Sequence, residues 1–351
     1  MNTRLHTLDY LRGLSALGIM VYHYLFWLNG SFTSDQFMGR VGVYGVAIFY
    51  VLSGLTLYHV YEYSQVSTGF SIGNFFKKRI FRIFPLLWLV TLGAIVLSRK
   101  MPNLPDVFLN LTGLFGFVRW HVYFATGAWS IGNELVFYST FPLILLICMR
   151  KPWILLVALA LTGLLHHLFA FEFLDAQKPL ADQWHTYVNP LNQIFFFVAG
   201  CAIGYWTKAR SFQPLSATVL VGLGLLLLAW IPAEGNTISI VTDYNRWLFT
   251  SACMLICLGA YKLSVRLPGS LHTVFKMLGE GSYSLYLLHP LVFTVWAFIF
   301  HWLEQSNHML PWAVKLLTPI AITLVLSYFV YEYFEKYFMR LGRQSSPGKP
   351  S

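Results

Sequence analysis

Charge is what this sequence has least of. Asp, Glu, Lys and Arg make up 11% of its 351 residues, against 57% hydrophobic residues and a mean hydropathy of +0.59. A soluble domain usually carries about a quarter charged residues, so the composition excludes a soluble globule and requires an integral membrane protein. Cysteine is scarce as well. Cys148, Cys201, Cys253 and Cys257 all fall in apolar stretches, without the spacing of a disulfide framework or a metal site, and they read as small core hydrophobes. There is no internal repeat and no low-complexity tract beyond the tail SSPGKPS, and no appended soluble domain is expected. A single membrane domain over 1–338 is therefore expected to hold the whole function, with 339–351 as a short polar cytoplasmic tail. No cleavable signal peptide is visible either: Leu14 to Trp27 lead into a helix bearing His23, without a small-residue cleavage site before the next segment. The first span is expected to stay in place.

What is present is a series of apolar runs near the length that crosses about 30 Å of hydrocarbon. Ten can be counted, at 10–28, 41–61, 81–98, 132–149, 153–171, 191–206, 214–232, 246–264, 283–303 and 312–334. The expected fold is an all-α integral membrane bundle of about ten transmembrane helices, and an even number puts both termini on one side. Lys77, Lys78, Arg79, Arg82, Arg150, Lys151, Lys208, Arg210, Lys262, Arg266 and Lys276 fall in alternate connections, joined by Arg4 and by Lys336, Arg340, Arg343 and Lys349. Asp35, Asp106, Glu172, Asp175, Asp182, Glu234 and Asp243 fall in the opposite ones. The positive-inside rule makes the basic side cytoplasmic. Topology thus accounts for the formal charge of +10, with no nucleic-acid partner. One opposite-side connection, Arg99 to Ala128, is too apolar for a solvated loop and is expected to lie in the interface or re-enter the membrane. Its sequon, Asn110-Leu111-Thr112, is discounted as a chance triplet.

Four clusters carry candidate chemistry. Arg12 and His23, in DYLRGLSALGIMVYH, are eleven residues apart, which on a helix returns to within roughly 20° after a rise of roughly 16 Å. They share a face as either a surface anchor with a packed histidine, or a charge aligned with a deeper titratable group. Arg79 and Arg82, three apart in FFKKRIFR, can grip a phosphate bidentately or anchor the helix among anionic head groups. Glu134, in WSIGNE at 129–134, can complement a helix dipole. Alternatively it shares the depth of His23 and raises and orients that imidazole as a general base. GEGSYSLYLLHP at 279–290 offers close-packing glycines, ligand-binding hydroxyls at Ser282 and Tyr283, and His289, which either serves the site or bonds a neighbouring helix. His166-His167 are adjacent, cannot share a face, and read as core or lining residues.

Together these pieces resemble the acyltransferase 3 family of bacterial membrane acyltransferases. The matching stretches are LDYLRGLSALGIMVYH, GVYGVAIFYVLSG at 42–54, FFKKRIFRIFP, WSIGNELVFY at 129–138 and GEGSYSLYLLHP, in the family's order. The resemblance implies ten membrane helices, an acyl-coenzyme A donor on the cytoplasmic side, acetyl being the family-based expectation, and a glycan or lipid-linked sugar acceptor on the outer side. It makes His23 the essential histidine, Arg12, Arg79 and Arg82 functional arginines, and Glu134 the carboxylate of a WSxxxE-like element, whose Ile131-Gly132-Asn133 centre departs modestly from the pattern. Many relatives carry a fused periplasmic hydrolase-like domain; this chain is expected to lack one.

The expected mechanism has Arg12, Arg79 and Arg82 holding the nucleotide end while the pantetheine arm threads towards His23. His23 then deprotonates a sugar hydroxyl with Glu134 stabilising the imidazolium, an acyl-histidine being the competing variant. Trp129, Ser130, Tyr22, Tyr44 and Ser53 are candidates for contacting the sugar or the oxyanion. No permanently bound cofactor and no metal are expected. The location is the bacterial cytoplasmic (inner) membrane, crossed many times. A transporter or flippase for an envelope lipid or glycan has the same gross features, although no inverted repeat is visible. A catalytically silent partner of a glycan assembly complex is the third option.

Overall fold

Each apolar run becomes a helix, and the long connection before residue 128 folds too. The computed structural model describes residues 5–68, 70–263, 265–306 and 308–343, without the side chains of 63–68 and 147–150. Arg4, Lys349 and the side chains of Cys148 and Arg150 lie outside the described residues. In chain order the helices are α1 (His6–Asn29), α2 (Phe37–Thr68), α3 (Ile72–Ser98), α4 (Leu104–Thr112), the single turn α5 (Phe115–Val118) and α6 (Ala128–Arg150). α7 (Trp153–Leu168) continues as a π turn over Phe169–Phe173, and the single turn α8 (Trp184–Tyr187) leads to α9 (Pro190–Thr207), α10 (Pro214–Trp230) and α11 (Asp243–Lys262). Last come α12 (Gly269–Glu280), α13 (Ser282–Gln305), α14 (Trp312–Phe329), a π segment over Val330–Glu335, and α15 (Lys336–Arg343). No strand occurs among the described residues. Five stretches are long and apolar enough to cross a membrane: Phe37–Glu62, Ile72–Ser98, Trp153–Phe173, Ser282–Gln305 and Trp312–Arg343.

Close backbone approach holds the centre together. A Cβ on Gly54 of α2 would stand 2.0 Å from the Phe197 carbonyl oxygen of α9, and one on Gly200 of α9 would stand 2.1 Å from that of Val51. Apolar side chains gain little by leaving lipid, so membrane helices rely on such small-residue seams for contact. The ends of α2, α9 and α11 meet at one face, where Lys208 pairs with Glu62 and Lys262 donates to the Thr207 carbonyl. At the opposite face Ser34 Oγ donates to Gly235 O at 3.1 Å and Trp312 Nε1 to Asn29 Oδ1 at 3.0 Å. There Arg40, on α2, is 3% exposed. It donates to the carbonyls of Leu228, Ala229 and Ile231 at 3.2, 2.6 and 2.8 Å, satisfying the end of α10, whose last carbonyls have no partner within the helix.

The 99–128 connection is built into the protein. Asn110 is 1% exposed; its amide donates to Asp106 O and Val122 O at 2.9 and 3.1 Å and accepts from Phe124 N–H at 3.3 Å. This asparagine ties the loop together, in keeping with the discounted sequon. α5 rests on the first turns of α6, where a Cβ on Gly116 would stand 2.4 Å from Gly132 O. That contact sinks the start of α6 into the bundle, with Ala128, Trp129 and Asn133 all buried.

Candidate active site

Six helices, α1, α2, α3, α6, α13 and α15, enclose a cavity of about 610 Å³. Its charge is one-sided: Arg12, Lys78, Arg79, Arg82 and Arg343 line it against a single carboxylate, Glu134. Arg79 and Arg82 share a face because they are three apart on α3. α15 brings Arg343 there by folding back on α3, with Gly342 against Phe81. Arg12 donates to Thr56 Oγ1 at 2.7 Å. The Arg79 guanidinium lies 5.8 Å above the Tyr138 ring, and its Nε is buried without a partner among the described residues. Guanidinium donors turned towards a cavity suit an anion of phosphate geometry.

A chain of hydroxyls crosses the same cavity. Tyr138 donates to Glu134 Oε2 at 3.0 Å, so the 2.9 Å contact between Ser53 Oγ and the Tyr138 hydroxyl has serine as donor. Ser130 and Tyr286, on the cavity wall, place their hydroxyls 2.9 Å apart, and both reach Gly127 O, at 2.9 and 3.1 Å. Ser282 and Tyr283 also line the cavity, and the Tyr283 hydroxyl donates to Ile83 O at 2.7 Å.

His23 is placed differently from the sequence expectation. It does not line the cavity; its Nδ1 lies 2.9 Å from Nε2 of His289. The two rings are nearly parallel, 19° apart with centroids 5.0 Å apart, and meet edge to edge along that hydrogen bond, while Trp27 stacks on His23 at 5.2 Å and 15°. Tyr286 links the two regions, since its ring is 5.9 Å from that of His289. Thus Glu134 stands with the arginines and His23 with His289. The sunken start of α6 is the reason, because it carries Glu134 away from the outer depth that a helix beginning at the surface would give it.

Other expected residues serve the framework. The Tyr44 hydroxyl donates to Ile240 O at 2.5 Å, and its ring stacks on Phe249 at 5.0 Å, away from the cavity. Trp129 is buried against Tyr50 and Trp184. His166 contacts Thr250 Oγ1 at 3.1 Å and the Arg246 Nε at 3.2 Å, a core role as expected. On the connections outside the spans, burial pushes the phenols of Tyr123 and Tyr187 above their ordinary value. Sequence reasoning missed Tyr50, Tyr138, Tyr286, Met339 and Arg343 as lining residues. Tyr138 had a signal, four residues after Glu134 on one face; Arg343 had none, since only the return of α15 brings it in.

An α-helical membrane protein with a basic internal cavity next to a histidine pair is the class that fold and site define. The chain belongs to the acyltransferase domain family, whose model matches residues 5–332. It is 23% identical to O-acetyltransferase OatA of Staphylococcus aureus over 314 residues, covering 80% of this chain and 49% of that protein, so it spans about half of that relative's length. It is 28% identical to the exopolysaccharide production protein ExoZ of Rhizobium meliloti over 280 residues, covering 73% of this chain and 78% of that one. No solved structure matches it.

Proposed function

We propose that the protein transfers an acyl group, acetyl in the first instance, from cytoplasmic acyl-coenzyme A to a hydroxyl of an extracytoplasmic glycan or lipid-linked sugar. The observation that carries this reading is the cavity itself: five cations around about 610 Å³, with Tyr286 on its wall beside the histidine pair. A void of that size is in the usual range for small-molecule sites, roughly 300–1,000 Å³. Arg12, Arg79 and Arg82 hold the phosphates of the nucleotide end, with Lys78 and Arg343 adding to the positive field. The acyl arm follows the hydroxyls of Ser53, Tyr138 and Ser130 towards Tyr286. His23 acts as general base on the acceptor hydroxyl. Glu134, joined to Tyr138, balances the arginines and fixes the hydroxyl chain. The relationship to the O-acetyltransferase OatA supports acetyl as the group moved, and that to the exopolysaccharide production protein ExoZ supports a polysaccharide acceptor.

The same reading has ten helices, α1, α2, α3, α6, α7, α9, α10, α11, α13 and α14, crossing the bacterial cytoplasmic membrane with both termini inside. The alternate placement of basic and acidic connections supports it.

The test compares envelope glycans from cells expressing the wild type and His23→Ala at equal membrane levels. Base-labile ester is expected in the first and at least a hundredfold less in the second, in line with the contribution of a general base. Ester that persists in the mutant would overturn the assignment of His23.

A further inference from the structure

The hydrogen bonds around the two histidines determine where each ring carries its proton. His289 Nδ1 lies 3.3 Å from the Leu285 carbonyl oxygen, which can only accept. The Tyr286 carbonyl also draws on this ring; its helical donor would be the N–H of residue 290, and Pro290 has none. Neutral His289 therefore keeps its proton on Nδ1 and offers a lone pair at Nε2. Nε2 is the atom 2.9 Å from His23 Nδ1, so His23 donates there, while the Ile19 carbonyl, one turn back on α1, also accepts from this ring. The far nitrogen of His23, Nε2, is left unprotonated.

We infer that His289 is a positioning residue: it selects the His23 tautomer whose Nε2 is free to take a proton, and holds that ring in place. The inference rests on the acyl-transfer reading given above. Its rigidity is visible in the surroundings. His289 is fully buried, its carbonyl accepts from the Tyr24 hydroxyl at 3.0 Å, and that hydroxyl is 2.6 Å from Thr323 Oγ1. The Trp27 ring stacked on His23 and the hydrogen bond to His289 leave the imidazole little freedom to turn. In the reaction the sugar hydroxyl gives its proton to His23 Nε2 as its oxygen bonds to the thioester carbon. The imidazolium charge is shared through Nδ1–H with His289. When the C–S bond breaks, the coenzyme thiolate takes the proton back from His23 Nε2, leaving an ester, a thiol and a neutral histidine pair. An orienting partner on the far nitrogen of a catalytic imidazole is the role a carboxylate fills in serine hydrolases; here a second imidazole occupies that place.

The test uses the full chain in lipid nanodiscs with ring-nitrogen-labelled histidine, read by solid-state NMR, with His23→Ala to assign the His23 signals. In the wild type, His23 should show a protonated Nδ1 and an unprotonated Nε2. His289→Leu should abolish that preference, whereas His289→Gln, whose amide oxygen can still accept from Nδ1–H, should keep it. In cells at equal protein levels, His289→Leu should cut glycan ester about a hundredfold, and His289→Gln should restore at least a tenth of the wild-type yield. A protonated Nε2 on His23 in the wild type overturns the inference. So does full ester from His289→Leu where His23→Ala yields none. Ester surviving in His23→Ala overturns the acyl-transfer reading beneath it.

Discussion

Arginine occurs in this molecule in two conditions, and the difference separates support from function. Arg246 is 2% exposed and donates to Val241 O, Asn192 O and Asn192 Oδ1 at 3.1, 3.0 and 2.5 Å. All three nitrogens of the Arg40 guanidinium similarly donate to carbonyls. Arg79 instead stands among like charges at a cavity with its Nε unpartnered. Arg246→Leu should leave buried carbonyls unpaired at a cost of about 1–3 kcal/mol each, lowering the thermal midpoint of the detergent-solubilised protein by several degrees. Arg79→Ala relieves repulsion and leaves that midpoint within about a degree, while raising the KM for acetyl-coenzyme A at least tenfold. Melting followed by tryptophan fluorescence, together with ester formation at graded donor concentration, checks both. Equal loss of stability in the two variants would show Arg79 to be a structural anchor. Sequence spacing picked out Arg12, Arg79 and Arg82, because one face of one helix is a local property. It could not pick out Arg246, whose cage comes from α9 and the turn before α11.

Helices were legible where length and apolarity settle the matter, and their depths were not. All ten runs expected from the sequence are helical over most of their described length, as apolar runs that satisfy their own backbone hydrogen bonds should be. The position of α6 along the bundle depends on Gly116 meeting Gly132, a contact between residues with no side chain to advertise it. That is why Glu134 was expected beside His23. The seam of α2 and α9 has the same origin, and it yields a contrast between two glycines. Gly54→Ala drives a methyl against Phe197 O, where a Cβ would stand at 2.0 Å, and should cost about 1–3 kcal/mol. Gly222→Ala, inside α10 with nothing within 4 Å, should be neutral or stabilise by up to about 1 kcal/mol through helix propensity. Thermal unfolding of the two purified variants decides it. A Gly54→Ala protein as stable as the parent would mean that α2 and α9 slide apart freely, and that the cavity wall they support is soft.

Across the whole molecule the basic cavity and the histidine pair sit at different levels of one bundle, separated along α1 by the rise between Arg12 and His23, roughly 16 Å. An acyl donor confined to the cytoplasm can use such a route only if the arginine end faces inward, so the mechanism depends on orientation. The connection after α1 and the one after α9 belong to opposite faces, as the Ser34–Gly235 and Lys262–Thr207 contacts place them. Ser31 and Ser211 are exposed in those two connections. In intact cells, Ser31→Cys should react with a membrane-impermeant maleimide, and Ser211→Cys should react only after lysis, with the parent chain as control for Cys201, Cys253 and Cys257, which are buried. The reverse pattern would turn the arginines outward, where a coenzyme A thioester is not available. In that orientation five cations around a void would instead hold an anionic envelope component, and the histidine pair would lie towards the cytoplasm.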